Sequence, residues 1–255
     1  MPALQAYESG MDYSYAAGLY PSLLLMEKAP ELALRLLLSD KAAGEGVEKL
    51  RGLCAAHGVR EETAPKALSR ILGKENVYAA VAFKKKEKAL DAARPHVVLH
   101  HPMDEGNLGT IQRTMLGFGL KDLAIVSPAA DPFEPRVVRA SMGALFSLNV
   151  TQYDDFDLYR AAYPAHALYP FMLGGAMDLD TAAEEKRSPY TLIFGNEGAG
   201  LPEAFADCGQ AGPDPGRPAA RHRSGRLQPD VLYCIGRGIG VSLSVRQPGC
   251  CRDGN

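Results

Sequence analysis

The chain has 255 residues, 46% of them hydrophobic and 23% charged, with a formal net charge of −2. That mixture excludes a wholly disordered chain, a collagen-like repeat and a coiled coil, and suits one large or two small globular domains. A near-zero total does not announce a polyanion binder, although local patches decide that question. The apolar runs are too short to cross a bilayer, and residues 1–10 lack the basic stretch and apolar core of a secretory leader. Five cysteines with no zinc-ligand spacing point to a reduced, cytoplasmic compartment without metal or membrane.

Leu19, Leu23 and Met26 recur at helical spacing, so a helix is expected over residues 15–26. Residues 32–38 alternate as a strand, with Leu32, Leu34, Leu36 and Leu38 on one face and Arg35 on the other. Residues 46–57 form an amphipathic helix burying Val47, Leu50, Leu53 and Cys54; residues 64–72 form another, and residues 77–83 a strand. This alternation predicts a small α/β domain over residues 1–90. The run Lys84-Lys85-Lys86-Glu87-Lys88 reads either as a solvated hinge or as a phosphate-contacting edge.

A second domain, residues 91–210, follows. Strands are expected at 97–100, 123–126, 145–150, 167–169 and 191–194, and helices at 110–118, 136–143 and 156–162. Repeated strand-loop-helix units predict a mostly parallel sheet covered on both faces. Such sheets bind ligands at the carboxyl ends of their strands, so the loops after the first and last strands are the places to look. Residues 211–226 are rich in Gly, Pro, Ala and Arg without a large apolar side chain, too little hydrophobicity to offset ordering entropy.

The first of those loops reads Asp104-Glu105-Gly106-Asn107-Leu108-Gly109-Thr110-Ile111-Gln112-Arg113-Thr114. Its glycines permit a tight turn. Arg113 falls in the first turns of the expected helix, where the dipole disfavours a cation. It reads as a surface ion pair or as a guanidinium aimed at an anionic substrate. The second loop reads Phe194-Gly195-Asn196-Glu197-Gly198-Ala199-Gly200-Leu201-Pro202. It lacks the Gly-Lys-Ser/Thr of a P-loop and the spacing of a dinucleotide fingerprint; alone it reads equally as a turn. His100 and His101, a strand-end pair without a Ser or Cys nucleophile pattern, read as structural.

Taken together, Asn-x-Gly-Thr-Ile-x-Arg-Thr, then Val138-Arg139-Ala140-Ser141-Met142-Gly143-Ala144-Leu145-Phe146, then Leu-Ile-Phe-Gly-Asn-Glu-Gly-x-Gly-Leu-Pro resemble the SpoU (TrmH-like) family of RNA ribose 2′-O-methyltransferases, of the SPOUT superfamily. The likeness is good over residues 95–210; residues 14–83 resemble, more loosely, a domain similar to ribosomal protein L30e. The resemblance implies an α/β SPOUT-type parallel sheet with a trefoil knot, preceded by an L30e-like substrate-binding domain. It implies S-adenosyl-L-methionine as cofactor, RNA as partner with rRNA ahead of tRNA, and a homodimer. It assigns catalysis to Asn107, Arg113 and Glu197, with Asn107 and Glu197 pairing to fix the loops. It assigns cofactor binding to Phe171, Leu173, Gly195, Gly198 and Leu201.

The sequence departs from that pattern after the second loop. The family's third motif, an Ile-Pro turn and then Ser-x-Asn-Leu, is missing, and no asparagine lies between Asn196 and Asn255. Permitted codons read one nucleotide out of frame would restore both pieces, so a frameshift near residues 209–211 is expected, making residues 211–255 an aberrant segment. The alternative is a non-catalytic RNA-binding protein on a degraded SPOUT scaffold. A metabolic enzyme for an anionic small substrate explains Arg113 but not the paired loops.

Overall fold

Two sheets share one core across the described residues (4–72, 77–172, 187–208 and 220–221) of the computed structural model. The first sheet has the order β1-β4-β2-β3. It is built from β1 (Tyr13–Ala17), β2 (Ala33–Leu38), β3 (Arg60–Thr63) and β4 (Ala79–Lys84). β4 runs antiparallel to β1 and β2, while β3 lies parallel to β2. Helices α1 (Leu19–Lys28), α2 (Glu45–Ala56) and α3 (Pro65–Leu72) complete this half.

The helix expected over 15–26 divides. All five residues of β1 are buried, so an aromatic, two-sided strand wins there. Gly18, at φ +104°, then turns the chain into α1. The strand over 32–38 holds, but a bulge between Ala33 and Arg35 moves Leu34 off the face of Leu36 and Leu38. Leu34 joins Leu37 and Tyr15 in a cluster on the opposite side of the sheet. β3 was missed: its residues Arg-Glu-Glu-Thr are polar and mostly exposed, an edge strand with no hydrophobic signal.

The second sheet is parallel throughout, in the order β10-β8-β9-β5-β6-β7. Its strands are β5 (His96–His100), β6 (Asp122–Val126), β7 (Asn149–Tyr153), β8 (Ala167–Met172), β9 (Tyr190–Phe194) and β10 (Ala220–Arg221). Burial alternates along them: Val97, Leu99, Leu123, Ile125, Leu192 and Phe194 enter the core shared with the first sheet. Val98, Ala124, Val126 and Ile193 enter a second cluster on the other face. Helices α4 (Glu105–Gly117), α5 (Pro135–Ala140), α6 (Phe156–Ala162) and α7 (Phe205–Cys208) accompany them.

Three expectations are corrected in this half. α4 starts at Glu105, five residues before the expected 110, because Asp104 caps it through the amide of Asn107 at 2.7 Å. Residues 145–150 are not one strand: a 3₁₀ turn at Ala144–Ser147, entered through left-handed Gly143, precedes β7. Ala220–Arg221, within the stretch expected to be unstructured, pairs with Phe171 and Met172 of β8; the rest of residues 209–255 lies outside the described residues.

The lysine run divides: Lys84 and Lys86 are exposed, as a solvated face would be, while Lys85 and Lys88 are tied down. Lys85 Nζ donates to the Tyr7 hydroxyl at 2.8 Å and the Ser9 carbonyl at 2.7 Å, beside Asp131 at 3.6 Å. Lys88 Nζ donates to the Phe146 carbonyl at 3.1 Å. Phe83 meets Phe146 edge-on at 4.9 Å, and Ser14 Oγ donates to the Phe133 carbonyl at 2.5 Å. No described helix is long and apolar enough to cross a membrane.

Candidate active site

β5 leads outward to β6 and β7 on one side, while β9 and β8 return on its other side. The sheet order therefore reverses between β5 and β9, and it is beyond the carboxyl ends of strands at such a reversal that open parallel sheets bind ligands. The loops following β5 and β9 are the two singled out by sequence.

They meet there. The amides of Met103 and Asp104 donate to the two carboxylate oxygens of Glu197 at 3.2 and 3.3 Å. Asn196 Nδ2 donates to the His101 carbonyl at 2.8 Å and to Glu197 at 3.2 Å, while its Oδ1 accepts the amides of Gly198 and Ala199 at 2.9 and 3.0 Å. Asn196 and Gly200 exchange main-chain hydrogen bonds of 3.2 and 3.0 Å, closing the second loop on itself. A Cβ on Gly195 would fall on the main chain of Gly200 and the amide of Leu201, so this position admits only glycine.

The expected bond between the Asn107 side chain and Glu197 is absent among the described residues. Because α4 begins at Glu105, Asn107 lies in its first turn and its amide serves the Asp104 cap. The second loop is held by main-chain donors of the first. Arg113 lies in the third turn of α4, not near its start, so the dipole argument no longer bears on it. It is exposed and, among the described residues, makes no ion pair. Six residues apart on a helix, Asn107 and Arg113 stand about 9 Å apart along the axis and about 120° round it. A ligand, not a direct contact, would have to join them.

Of the expected cofactor residues, Phe171 is buried and stacks on Phe194 at 4.6 Å in the core. Gly195 answers to the closure of its own loop. Gly198 is exposed, and Leu201 is half-buried against the second cluster. Leu173 lies outside the described residues. Sequence reasoning passed over Asn196 and Asp104, although an Asp followed by three helix-starting residues is a readable N-cap signal.

His100 is buried, stacked on His101 at 3.7 Å and edge-on to Phe205 at 5.0 Å. Burial, helped by the neighbouring His101, pushes its imidazole down to about 4, so it is neutral near pH 7. At the amino ends of the same strands lies a polar chain that sequence reasoning did not see. His96 Nδ1 meets the Tyr159 hydroxyl at 2.9 Å, Tyr159 meets Thr191 Oγ1 at 2.6 Å, and Thr191 meets His166 Nδ1 at 3.0 Å. The other ring nitrogens face the carbonyls of Asp91 and Ala92 at 3.0 and 2.9 Å. The chain is buried at the end of the sheet opposite the loops and satisfies its own groups.

Residues 94–210 match the model of the SpoU rRNA Methylase family. Through this segment the chain is similar to the SpoU family. It is 33% identical over 116 residues to a 23S rRNA (uridine(2479)-2'-O)-methyltransferase of Streptomyces viridochromogenes, an alignment covering 43% of this chain and 40% of that protein. It is 30% identical over 131 residues to the 23S rRNA (guanosine(2553)-2'-O)-methyltransferase RlmP of Bacillus subtilis, covering 51% of each. The chain thus spans about half or less of the curated relatives it matches. Its fold is similar to the crystal structure of an AdoMet-bound rRNA methyltransferase from Sinorhizobium meliloti, with a TM-score of 0.70 at 24% identity over 89% of this chain and 87% of that one. The matched segment thus holds β5 to β9 of the parallel sheet and both loops.

Proposed function

We propose that the chain is an RNA ribose 2′-O-methyltransferase that takes its methyl group from S-adenosyl-L-methionine, with rRNA as its substrate. The observation that carries this reading is the meeting of the two loops at the carboxyl ends of β5 and β9, where Glu197 ties them together through the amides of Met103 and Asp104. The named relatives methylate 23S rRNA, and the similar structure from S. meliloti binds AdoMet; both support the reading.

The second loop suits such a cofactor. Glu197 is drawn to the first loop, and Gly198 is exposed with only Asn196 Oδ1, at 3.6 Å, near where a Cβ would stand, so the loop offers main chain rather than charge. Gly198, Leu201 and the loop closed by Gly195 would hold it, with Phe171 supporting β9 from beneath and Leu173 following β8. The bound cofactor supplies an electrophilic methyl group on a sulfonium. Arg113 would hold the ribose and its phosphate and stabilise the oxyanion developing at the 2′-hydroxyl, since a guanidinium stays protonated and does not act as base; a substrate phosphate oxygen or a water takes the hydroxyl proton. Asn107 orients the substrate from the first turn of α4. Alignment of the attacking oxygen can supply about 7–11 kcal/mol of barrier reduction.

In this reading residues 1–90 form an L30e-like domain that recruits RNA, residues 91–210 the catalytic domain, and residues 211–255 an aberrant end. The trefoil knot and a cytoplasmic homodimer would be completed by the third motif. The family match ends at residue 210, where the frameshift is placed; sequencing the gene tests it, and failure to restore an Ile-Pro and Asn-Leu segment by one insertion or deletion rejects it. Mapping 2′-O-methyl marks in rRNA and tRNA, with and without the gene and with frame-corrected rescue, tests the function. A mark lost and restored is expected; unchanged marks with no calorimetric binding of the cofactor would leave the non-catalytic scaffold instead.

A further inference from the structure

Between the two halves lies a cleft of about 310 Å³, lined by Gly18, Lys41, Val47, Tyr78 and Arg139 among others. That volume is within the range of small-ligand sites. Its walls come from the turn after β1, the loop before α2, the entry to β4 and, from the other half, α5. Among the described residues, two cationic side chains line it and no carboxylate does. Tyr78 is 49% exposed at its edge. Two further exposed apolar side chains, Tyr20 and Met142, belong to neighbouring segments, since Gly143 abuts Pro21 of α1. A single exposed aromatic is ordinary; one beside two cations in a concave wall is an arrangement that takes a flat ring joined to an anion.

The cleft is also close to the first of the two loops. Gly109 of α4 packs on α5, against Ala140 and the main chain of Val137 and Ser141. Arg136 of α5 faces Glu105, in the first turn of α4, at 3.8 Å. Arg139 follows one turn later, about 4.5 Å along the axis. One short helix therefore separates the methyl-transfer loops from the cleft, a span that a few nucleotides cover.

We infer that this cleft is a subsite for a single-stranded RNA nucleotide flanking the target ribose. Its base stacks on the ring of Tyr78, and its phosphate lies between Lys41 and Arg139. The inference rests on the RNA methyltransferase reading and adds the place where the strand is gripped. Stacking favours a single strand over a duplex, whose bases are already stacked on one another.

The test is fluorescence anisotropy of the full chain with a short labelled single-stranded oligoribonucleotide across a salt series, with the matching duplex, an acidic peptide and anionic vesicles as competitors. Tyr78 and Lys41 are exposed, so their variants keep the fold, which thermal melts verify. Tyr78→Ala should weaken single-strand binding about 5- to 150-fold, the loss of one stacked base, while Tyr78→Phe retains it. Lys41→Ala should reduce the salt slope by about 0.7, one phosphate contact on a single strand. Wild-type binding untouched by Tyr78→Ala and Lys41→Ala overturns the cleft and leaves the methyltransferase reading standing. A duplex, peptide or vesicle displacing the strand through Tyr78 overturns the ligand class. No RNA binding by the wild-type chain overturns the RNA reading, and the subsite with it.

Discussion

Arg113 stands exposed on α4 without an ion pair among the described residues, so removing it costs the fold little. In the proposed reaction it meets charge that appears only as the 2′-oxygen loses its proton. Arg113→Ala should therefore lower methylation kcat about 10²–10³-fold while the unfolding midpoint stays put. A lost midpoint with unchanged kcat would make Arg113 structural. Glu197 behaves in the reverse way. Its carboxylate accepts two main-chain donors across the loops, and in Glu197→Ala both exposed amides exchange it for water. Urea unfolding should show about 0.5–1.5 kcal/mol of destabilisation; Glu197→Gln, which keeps one good acceptor, should lose less. Both residues stood out in the sequence because their motif glycines did. Their partners did not, because a carboxylate seeking amides leaves no residue-type signature in the loop that supplies them.

Gly109 shows how element packing overrides propensity. It sits inside α4, where alanine would be favoured by about 1 kcal/mol. A Cβ there would meet Ala140 Cβ at 2.5 Å, the Val137 carbonyl at 2.7 Å and the Ser141 amide at 2.9 Å. Main-chain atoms cannot step aside, so Gly109→Ala should lose about 1–3 kcal/mol by calorimetry and push α5 off α4; stabilisation would mean the helices are not in register as described. That close approach also explains what the sequence hid. Gly106 and Gly109 looked like loop residues, so the helix was expected five residues late. The buried strands were legible because two-sided apolar runs such as those of β5 and β9 have few other readings. β3 was illegible because an exposed polar edge carries no hydrophobic pattern, and β1 because Tyr15 extends the four-residue spacing of Leu19 and Leu23.

At the scale of the molecule, acid sensitivity and cooperativity both follow from one continuous interior. His100 is depressed to about 4 by burial, with His96 lowered for the same first reason. The unfolded chain binds a proton at each near pH 6.5, whereas the folded chain refuses it until lower pH. Stability is thus fully present above about pH 6.5 and falls as pH drops toward 4, by about 1–3 kcal/mol for His100. Urea midpoints that stay level between pH 7 and 4.5 in the wild type, or that fall equally in His100→Asn, would refute it. The shared core sets the second expectation. Leu36, Val81 and Phe83 of the first sheet and Leu99, Ile111 and Leu192 of the second half belong to one buried cluster. Phe83 and Phe146 close it at 4.9 Å, with Gly143 wedged against Pro21. An interior that crosses the boundary near residue 90 makes the halves unfold together, although each has its own sheet. Phe146→Ala removes about 3–5 kcal/mol of packing from the second half. Hydrogen exchange should then quicken in β1, β2 and β4 as much as in β5, β6 and β9, because the same global opening exposes both. Protection lost only in the second half would separate the chain into two independently stable units, and the cleft between them would then open and close without any loss of fold.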